Sequence, residues 1–264
     1  KSTYRPLSSP KVSAFLAKSK ISDENFSEPI QIEFTSGNSS QVHAFFYQPT
    51  NCSYFPLRDE LPPLIVICHG GPTAAATSAR NLKIQYWTNR GFAVADLNYR
   101  GSSGFGRYYR EALLRKWGLA DVEDTTNLVH HLAENNLVDA ERCIIRGSSA
   151  GGYTVLAALT FTETFKAGAS YYGIGNLETL ARDTHKFESQ YLESLVGSYA
   201  QERDLYRARS PIYHTDQLNC PVIFFQGLQD NVVKQSVIVT ENHGAGIILQ
   251  HFLQLLGLLL QFVP

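Results

Sequence analysis

The sequence predicts an α/β fold built on a mainly parallel, doubly wound sheet. Short apolar runs that are rich in β-branched residues recur along the chain, as is typical of parallel strands covered on both faces. Segments with helical periodicity separate these runs, and strands that alternate with helices form parallel βαβ units. The predicted parallel strands are 63–68, 92–97, 142–146, 167–172 and 221–225, and helices are predicted at 79–90, 117–135 and 153–160.

The N-terminal part of the chain carries different signals. Residues 1–28 are polar and irregular apart from a short helical stretch at 12–18, which predicts a lead-in or linker. Residues 30–34 and 41–47 alternate between apolar and polar side chains on either side of a Gly/Ser/Asn turn, which predicts a β-hairpin. We therefore expect one domain over 29–264, a length that allows a large core.

Composition excludes several partners. The chain is 44% hydrophobic and 18% charged with a net charge of −1, so nothing indicates binding to nucleic acid or to an anionic membrane. Its four cysteines have no metal-binding spacing, and three lie in or beside apolar runs. We expect reduced thiols, a cytoplasmic location, and no metal or other cofactor. The cysteines are Cys52, Cys68, Cys143 and Cys220.

The C-terminal segment 242–264 contains no Asp, Glu, Lys or Arg. Its apolar run 246–263 is long enough to span a membrane, but no basic residues flank it. Its few polar residues also fall on one stripe of a helix, which favours a helix buried in the protein or in a homodimer interface. These residues are Gln250, Gln254, Gly257 and Gln261. The chain has no methionine, which we interpret as the sign of a fragment, a processed chain or an altered sequence.

A nucleophile elbow is predicted at residues 147–151, whose sequence GSSAG matches the pattern G-x-S-x-G. The pattern is informative here because a predicted strand precedes it and a predicted helix follows it. Small residues at Gly147, Ala150, Gly151 and Gly152 suit so tight a turn. Ser149 would lie at the carboxyl end of the strand, above a helix N-terminus that favours negative charge. The alternative is a Gly/Ser-rich loop without a catalytic role.

An acyl-transfer serine needs a base, an acid that orients the base, and an oxyanion hole. On the α/β-hydrolase fold the acid and then the histidine follow the serine in the chain. Asp230 follows the last predicted parallel strand, at the sheet edge where ligands gather, although a simple turn aspartate is the alternative. The backbone N–H groups of Gly71 and Ala150 are the candidate oxyanion donors, with a plain glycine turn as the alternative for Gly71.

Six segments of the chain, in order, resemble the catalytic domain of the prolyl oligopeptidase family of serine peptidases, in its acylaminoacyl-peptidase and dipeptidyl-peptidase-like branch. The resemblance covers about residues 30–233. The segments are HGGP at 69–72, NYRGSSGFGRYYR at 98–110, WG at 117–118, DVED at 121–124, GSSAGG at 147–152 and QGLQD at 226–230.

This resemblance implies a peptidase that acts on short peptides, with Ser149 as nucleophile, Asp230 as acid, and Gly71 and Ala150 as oxyanion donors. In the family an N-terminal β-propeller limits access to the site. The chain would then be a catalytic domain separated from its propeller, and residues 1–28 would be the joining segment.

The resemblance also suggests roles for residues around the site. It places Tyr172 and Val232 near the pocket for the residue before the scissile bond, with core packing as the alternative. The segment HKFES at 185–189 is interpreted as structural. A buried ion-pair or capping role is favoured over catalysis for Arg100, Asp121 and Asp124.

The catalytic base is the difficult element. His243, in the sequence ENHG at 241–244, resembles the family's Glu-x-His-Gly and is the candidate, while His251 fits a helix in the core. However, too few residues separate Gly227 from the strand-like run 237–240 for the crossover of a dozen or more that parallel strands need. A direct hairpin would leave His243 about 20 Å from Asp230. We therefore expect either a deleted crossover helix or a replaced chain end.

Three functions stay open at this level. The first is a serine peptidase, favoured by the segment 100–106 because it belongs to the family pattern and not to the elbow. The second is a carboxylesterase, since the same triad hydrolyses esters on the same fold. The third is a truncated, catalytically impaired chain with a role in binding or assembly, which the short spacing between Asp230 and His243 would explain.

Overall fold

A computed structural model of the protein describes residues 22–57, 60–183, 186–227, 230 and 247–248. Its centre is an eight-stranded sheet in the order β1-β2-β4-β3-β5-β6-β7-β8. The β1–β2 and β2–β4 pairs are antiparallel and the other five pairs are parallel, which confirms the predicted fold class. The strands are β1 (Ile30–Ser36), β2 (Ser40–Tyr47), β3 (Leu64–Cys68), β4 (Ala93–Asn98), β5 (Cys143–Ser148), β6 (Ala167–Tyr171), β7 (Val222–Phe225) and β8 (Ile247–Ile248).

Helices cover both faces of this sheet. Helices α3 and α4 pack on one face, where the main hydrophobic core includes Val66, Leu128 and Val155. Helix α1 packs on the other face through Ile84, which contacts a smaller cluster with Ile65. The described helices are α1 (Leu82–Thr88), α2 (Arg107–Glu111), α3 (Ala120–Glu134), α4 (Ala150–Phe161), α5 (Leu177–Asp183), α6 (Lys186–Leu195) and α7 (Arg203–Ala208). None of these helices is long and apolar enough to cross a bilayer.

The helix that follows the elbow is buried on all sides. Every residue of α4 from Ala150 to Thr160 is buried, which explains why this segment is apolar throughout and has no polar stripe. Helices α1 and α3 are shorter than their sequence patterns predict, because residues 79–81 are not helical and turns occupy residues 117–119. The predicted hairpin is present as β1 and β2.

Residues 22–28 pack against α1. The backbone N–H of Ser27 donates to Gln85 Oε1 at 2.8 Å, and Gln85 Nε2 donates to the Ser27 carbonyl at 2.9 Å. Phe26 is buried beneath the Arg80 guanidinium, which lies 4.6 Å from the ring centroid. The short helix predicted at 12–18 lies outside the described residues, and the domain boundary at residue 28 stays a prediction.

The acidic segment at the start of α3 has the structural role that the sequence favours. Arg100 Nε donates to Asp124 Oδ1 at 2.9 Å, and both side chains are almost fully buried. Asp121 accepts hydrogen bonds of 2.6 Å from the Gly118 N–H and from Thr154 Oγ1. Burial raises the pKa of Asp121 to about 6, although these hydrogen bonds oppose the shift. The predicted ion-pair and capping roles are confirmed.

The strand beside β7 corrects one expectation about the chain end. Ile247 and Ile248 form β8 and pair in parallel with Ile223 and Phe224, so the helix expected over 246–263 is wrong at these two positions. The antiparallel hairpin expected between the strand at 221–225 and the run 237–240 stays a prediction. The strand-like run 237–240 lies outside the described residues.

Asp96 is a mostly buried carboxyl in the middle of the sheet. It lies on β4 in register with Phe45 of β2 and Ile67 of β3. Burial raises its pKa to about 7, and no described residue forms a hydrogen bond or ion pair with it. Its ionised form is therefore disfavoured in the folded protein, while in the unfolded chain the carboxyl ionises near pH 4.

We predict that Asp96→Asn stabilises the protein at pH 8 and leaves it unchanged near pH 4. The raised native pKa means that the wild type loses stability as pH rises from about 4 to 7. A rise in the pKa of Asp96 from about 4 to about 7 corresponds to a loss of about 4 kcal/mol in the free energy of unfolding. We expect Asp96→Asn to recover about 2 kcal/mol of this, because water reaches part of the carboxyl. Urea unfolding at both pH values measures the difference. Glu163→Gln, at an exposed position, is the control, and equal stabilisation by the two variants would contradict the prediction.

Candidate active site

Ser149 occupies a sharp turn between β5 and α4. Its φ and ψ angles are 53° and −121°, a conformation that residues other than glycine rarely adopt and that is found at functional sites. Two backbone hydrogen bonds hold it there, from the Ser149 N–H to the Tyr171 carbonyl at 3.0 Å and from the Tyr153 N–H to the Ser149 carbonyl at 3.1 Å. Its side chain makes no capping hydrogen bond to α4, so the hydroxyl is not committed to the helix end.

Close backbone contacts explain the small residues around Ser149. A Cβ atom on Gly151 would overlap the Cys68 carbonyl and lie 2.5 Å from the His69 carbonyl. A Cβ atom on Gly147 would overlap the Gly151 carbonyl and lie 2.9 Å from the Cys68 carbonyl. The turn is thus pressed against the end of β3, as the prediction of a tight turn requires.

We predict that Gly151→Ala destabilises the protein by about 3 kcal/mol, at the upper end of the cost of overpacking, because the obstacles are backbone atoms. Chemical denaturation measures the loss. The matched control is Gly227→Ala, whose Cβ would meet, among the described residues, only the Asp230 Cβ at 3.8 Å and which should cost less than about 0.5 kcal/mol. Similar losses in the two variants would contradict this account of the turn.

The two candidate oxyanion donors flank Ser149. Gly71 has a φ of 118°, and a Cβ atom there would lie 2.6 Å from the Ala74 nitrogen. A Cβ atom on the preceding Gly70 would lie 3.6 Å from the Ser149 Cβ, so this loop runs directly beside the serine. Ala150 is the first residue of α4, where backbone N–H groups have no acceptor within the helix.

His69 anchors the glycine loop, a role that sequence reasoning missed. Its Nδ1 lies 2.9 Å from the Gly70 carbonyl and its Nε2 lies 2.7 Å from Ser102 Oγ. Its ring stacks on Tyr99 at 4.3 Å, and the Tyr99 hydroxyl donates to the His69 carbonyl at 3.0 Å. Burial lowers the pKa of His69. With both ring nitrogens engaged, His69 acts as a support for the loop and is not available as a base.

A second contact to this loop comes from α6. Tyr191 Oη lies 3.1 Å from Thr73 Oγ1, two residues after Gly71. The sequence offered no signal for this contact, since the two residues are far apart in the chain and neither belongs to a recognised motif.

Of the other predicted site residues, the structure describes Asp230 and Tyr172. Asp230 is described at the carboxyl end of β7, and its N–H donates to the Gly227 carbonyl at 3.2 Å. Tyr172 follows β6, is 43% exposed and has a φ of 39°, so it is not a core residue. Val232, His243 and His251 lie outside the described residues, as does His185. Within the described part of the chain, no group of three or more His, Cys, Asp or Glu could hold a metal ion.

Comparison with known proteins identifies the family. The model of the prolyl oligopeptidase family matches residues 78–240. The chain belongs to the prolyl oligopeptidase family. The match includes the serine elbow and Asp230 and begins just after the glycine loop at Gly70–Gly71.

Individual members of the prolyl oligopeptidase family are similar to most of the described chain. Dipeptidyl aminopeptidase BIII of Pseudoxanthomonas mexicana is 32% identical over 180 residues, or 66% of this chain and 26% of the relative. Acylamino-acid-releasing enzyme 1 of Oryza sativa subsp. japonica is 28% identical over 236 residues, 85% of this chain and 30% of the relative. The structure of a puromycin-hydrolyzing peptidase of Mycobacterium tuberculosis superimposes with a TM-score of 0.78 at 44% identity, covering 81% of this chain and 33% of that chain. The chain therefore spans about a quarter to a third of the length of these relatives.

Proposed function

We propose that this chain is the catalytic domain of a serine peptidase that hydrolyses short peptides through an acyl-enzyme on Ser149. The observation that carries the proposal is the strained turn at Ser149 with the Gly70–Gly71 loop directly beside it. Membership of the prolyl oligopeptidase family supports it, as do the peptidase names of the relatives.

In the proposed reaction, Ser149 Oγ attacks the carbonyl carbon of the substrate while a histidine accepts its proton. The oxyanion that forms accepts hydrogen bonds from the N–H groups of Gly71 and Ala150. The histidine then donates the proton to the leaving amine, and water releases the acyl group by the same steps in reverse. His243 is proposed as this histidine.

The sheet topology supports Asp230 as the residue that orients the base. Ser149 follows β5 and Asp230 follows β7, with β6 between the two strands. Two strand spacings amount to about 10 Å, a gap that one imidazole and its two hydrogen bonds of about 3 Å would bridge. Tyr172 follows the intervening strand β6 and its N–H donates to the Phe225 carbonyl at 2.7 Å. This position supports a place for Tyr172 in the substrate pocket, with Val232 proposed as a second contact.

Two alternatives make different predictions. A carboxylesterase would use the same serine and oxyanion donors on esters alone. A catalytically impaired chain would keep the elbow without a working base, and its serine would be a weak nucleophile.

We predict that the protein hydrolyses acyl-amino-acid or dipeptide anilides as well as short p-nitrophenyl esters. An amide needs protonation of its leaving amine, so its turnover depends on a base that can also act as an acid. Initial rates on both substrate classes, measured against Ser149→Ala, test the proposal. Ester turnover without anilide turnover would show the esterase, and no turnover of either would show the impaired chain.

The remaining proposals concern location and assembly. All four cysteines are free thiols, as the sequence predicts, and this supports a cytoplasmic location.

We also propose that the apolar C-terminal segment forms a homodimer interface, which light scattering of the full chain and of a chain ending at residue 248 would test.

A further inference from the structure

A groove of about 730 Å³ lies on the outer side of α3, which is a common volume for a small-molecule site. None of the described residues of the proposed catalytic site lines it. Its walls come from the β1–β2 turn, the turn before α3, the end of α4 and the end of α7. Leu119, Val122 and Phe161 form much of its apolar surface.

Arg209 lines this groove as a buried side chain without an ion pair in the described chain. Arg209 is only 8% exposed, and its Nε has no hydrogen-bond partner among the described residues. Its Nη1 donates to the Trp117 carbonyl at 3.2 Å, but no carboxylate among the described residues forms an ion pair with it. Burial lowers the pKa of Arg209, yet an arginine keeps its charge at physiological pH.

An unpaired buried charge is costly. Removing a guanidinium from water costs several kcal/mol, which is regained only when an opposite charge and full hydrogen bonding replace the water. Arg100, the other buried arginine at the groove, has such partners in Asp124 and Glu123. Asp121 and Glu202 lie close enough to favour the charged form of Arg209, but neither forms an ion pair with it. Arg209 is therefore the buried arginine at the groove that has no ion-paired carboxylate in the described chain.

Further positive charge surrounds this position. Lys116 is exposed at the groove and has no ion pair within the described residues. The Glu123 carboxylate also lines the groove, where it is paired with Arg100. The combination of apolar walls with Arg209 and Lys116 suits an anion that carries an apolar body.

We propose that this groove is a binding site for a small organic carboxylate with an apolar body. The carboxylate pairs with Arg209 and Lys116, and the body packs on Leu119, Val122 and Phe161. Pairing a carboxylate with the part of the Arg209 guanidinium that faces the groove supplies the opposite charge that no ion pair of the described chain provides.

The test compares 3-phenylpropionate with its uncharged amide, 3-phenylpropanamide, which has nearly the same shape. The chain has two tryptophans, so a Trp87→Phe variant keeps Trp117, whose carbonyl contacts Arg209, as the only fluorophore of this kind. Fluorescence titration and calorimetry then give the dissociation constants. We expect the acid to bind at least about tenfold more tightly than the amide, since a charged hydrogen bond is lost in the amide.

Substitutions at the groove and away from it test where the acid binds. Lys116→Gln is expected to weaken binding of the acid about three- to tenfold, and Lys83→Gln, at an exposed position on α1, should leave it unchanged. Arg209→Lys, which keeps the charge but loses the planar guanidinium, should weaken it further. The proposal is overturned by equal affinity for acid and amide, by no saturable binding, or by equal affinity in the two lysine variants. Binding that is lost in Tyr172→Ala but kept in Lys116→Gln would place the ligand at the catalytic site and also overturn it.

Discussion

Replacing Ser149 with alanine is expected to abolish both covalent labelling by a fluorophosphonate probe and hydrolysis of peptide anilides. The turn presents the serine hydroxyl without a helix-capping bond, beside the N-terminus of a helix that is buried from Ala150 to Thr160. Residues of a catalytic triad act as a unit, and loss of the nucleophile lowers kcat by about 10⁶-fold in enzymes of this mechanism. Intact-protein mass spectrometry measures the labelling, and initial rates measure the hydrolysis.

The neighbouring serine provides a matched control. Ser148 is the last residue of β5, and Ser148→Ala changes the same atoms one position earlier in the chain. This variant should label at nearly the wild-type rate. Labelling that persists in Ser149→Ala, or that is lost equally in both variants, would contradict the assignment of Ser149. A wild-type protein that labels very slowly would instead favour the chain without a working base.

The second large effect is expected at the buried ion pair of Arg100 and Asp124. Arg100→Met should destabilise the protein by about 4 kcal/mol, because it leaves the Asp124 carboxylate buried and unpaired. Asp124 also accepts hydrogen bonds from the Arg100 N–H at 2.8 Å and from Ser36 Oγ. The pair therefore connects β1, the end of β4 and α3. Urea unfolding measures the loss of stability.

A double-mutant cycle separates the pair from its surroundings. The variant that combines Arg100→Met with Asp124→Asn removes both charges. We therefore expect its loss of stability to be smaller, by at least about 2 kcal/mol, than the sum of the losses in the two single variants. Glu123→Gln is the control, since Glu123 Oε2 lies 2.6 Å from Arg100 Nη2 but its side chain is 50% exposed. It should cost less than about 1 kcal/mol. Additive losses in the cycle would contradict this account of the pair.

Local chemistry explains why much of the fold is predictable. The strand β3 is a continuous apolar run because both of its faces are covered, and the hairpin of β1 and β2 shows its alternation because it lies at the sheet edge. The elbow is recognisable because only small residues fit where its backbone touches the Cys68 carbonyl. Each of these signals is contained within a few neighbouring residues.

The parts that were not predicted depend on residues that are distant in the chain. The position of β8 at Ile247–Ile248 follows from pairing with β7. The charge-free sequence there fits a buried helix equally well, since the periodicity of a short apolar run does not distinguish a strand from a buried helix. The contact of His69 with Ser102 and that of Thr73 with Tyr191 join separate segments around the glycine loop. Sequence spacing contains no information on such contacts.

The sequence by itself therefore determined the order of strands β1 to β7 and of helices α1, α3 and α4, the family, and the nucleophile turn at Ser149, because periodicity, glycine content and motif order are local properties. Only the tertiary structure decided which strand completes the sheet, how the loop of Gly71 is supported, and that Arg209 is buried at a groove without an ion-paired carboxylate from the described chain. The physical reason is that burial and charge pairing are set by which segments meet on folding.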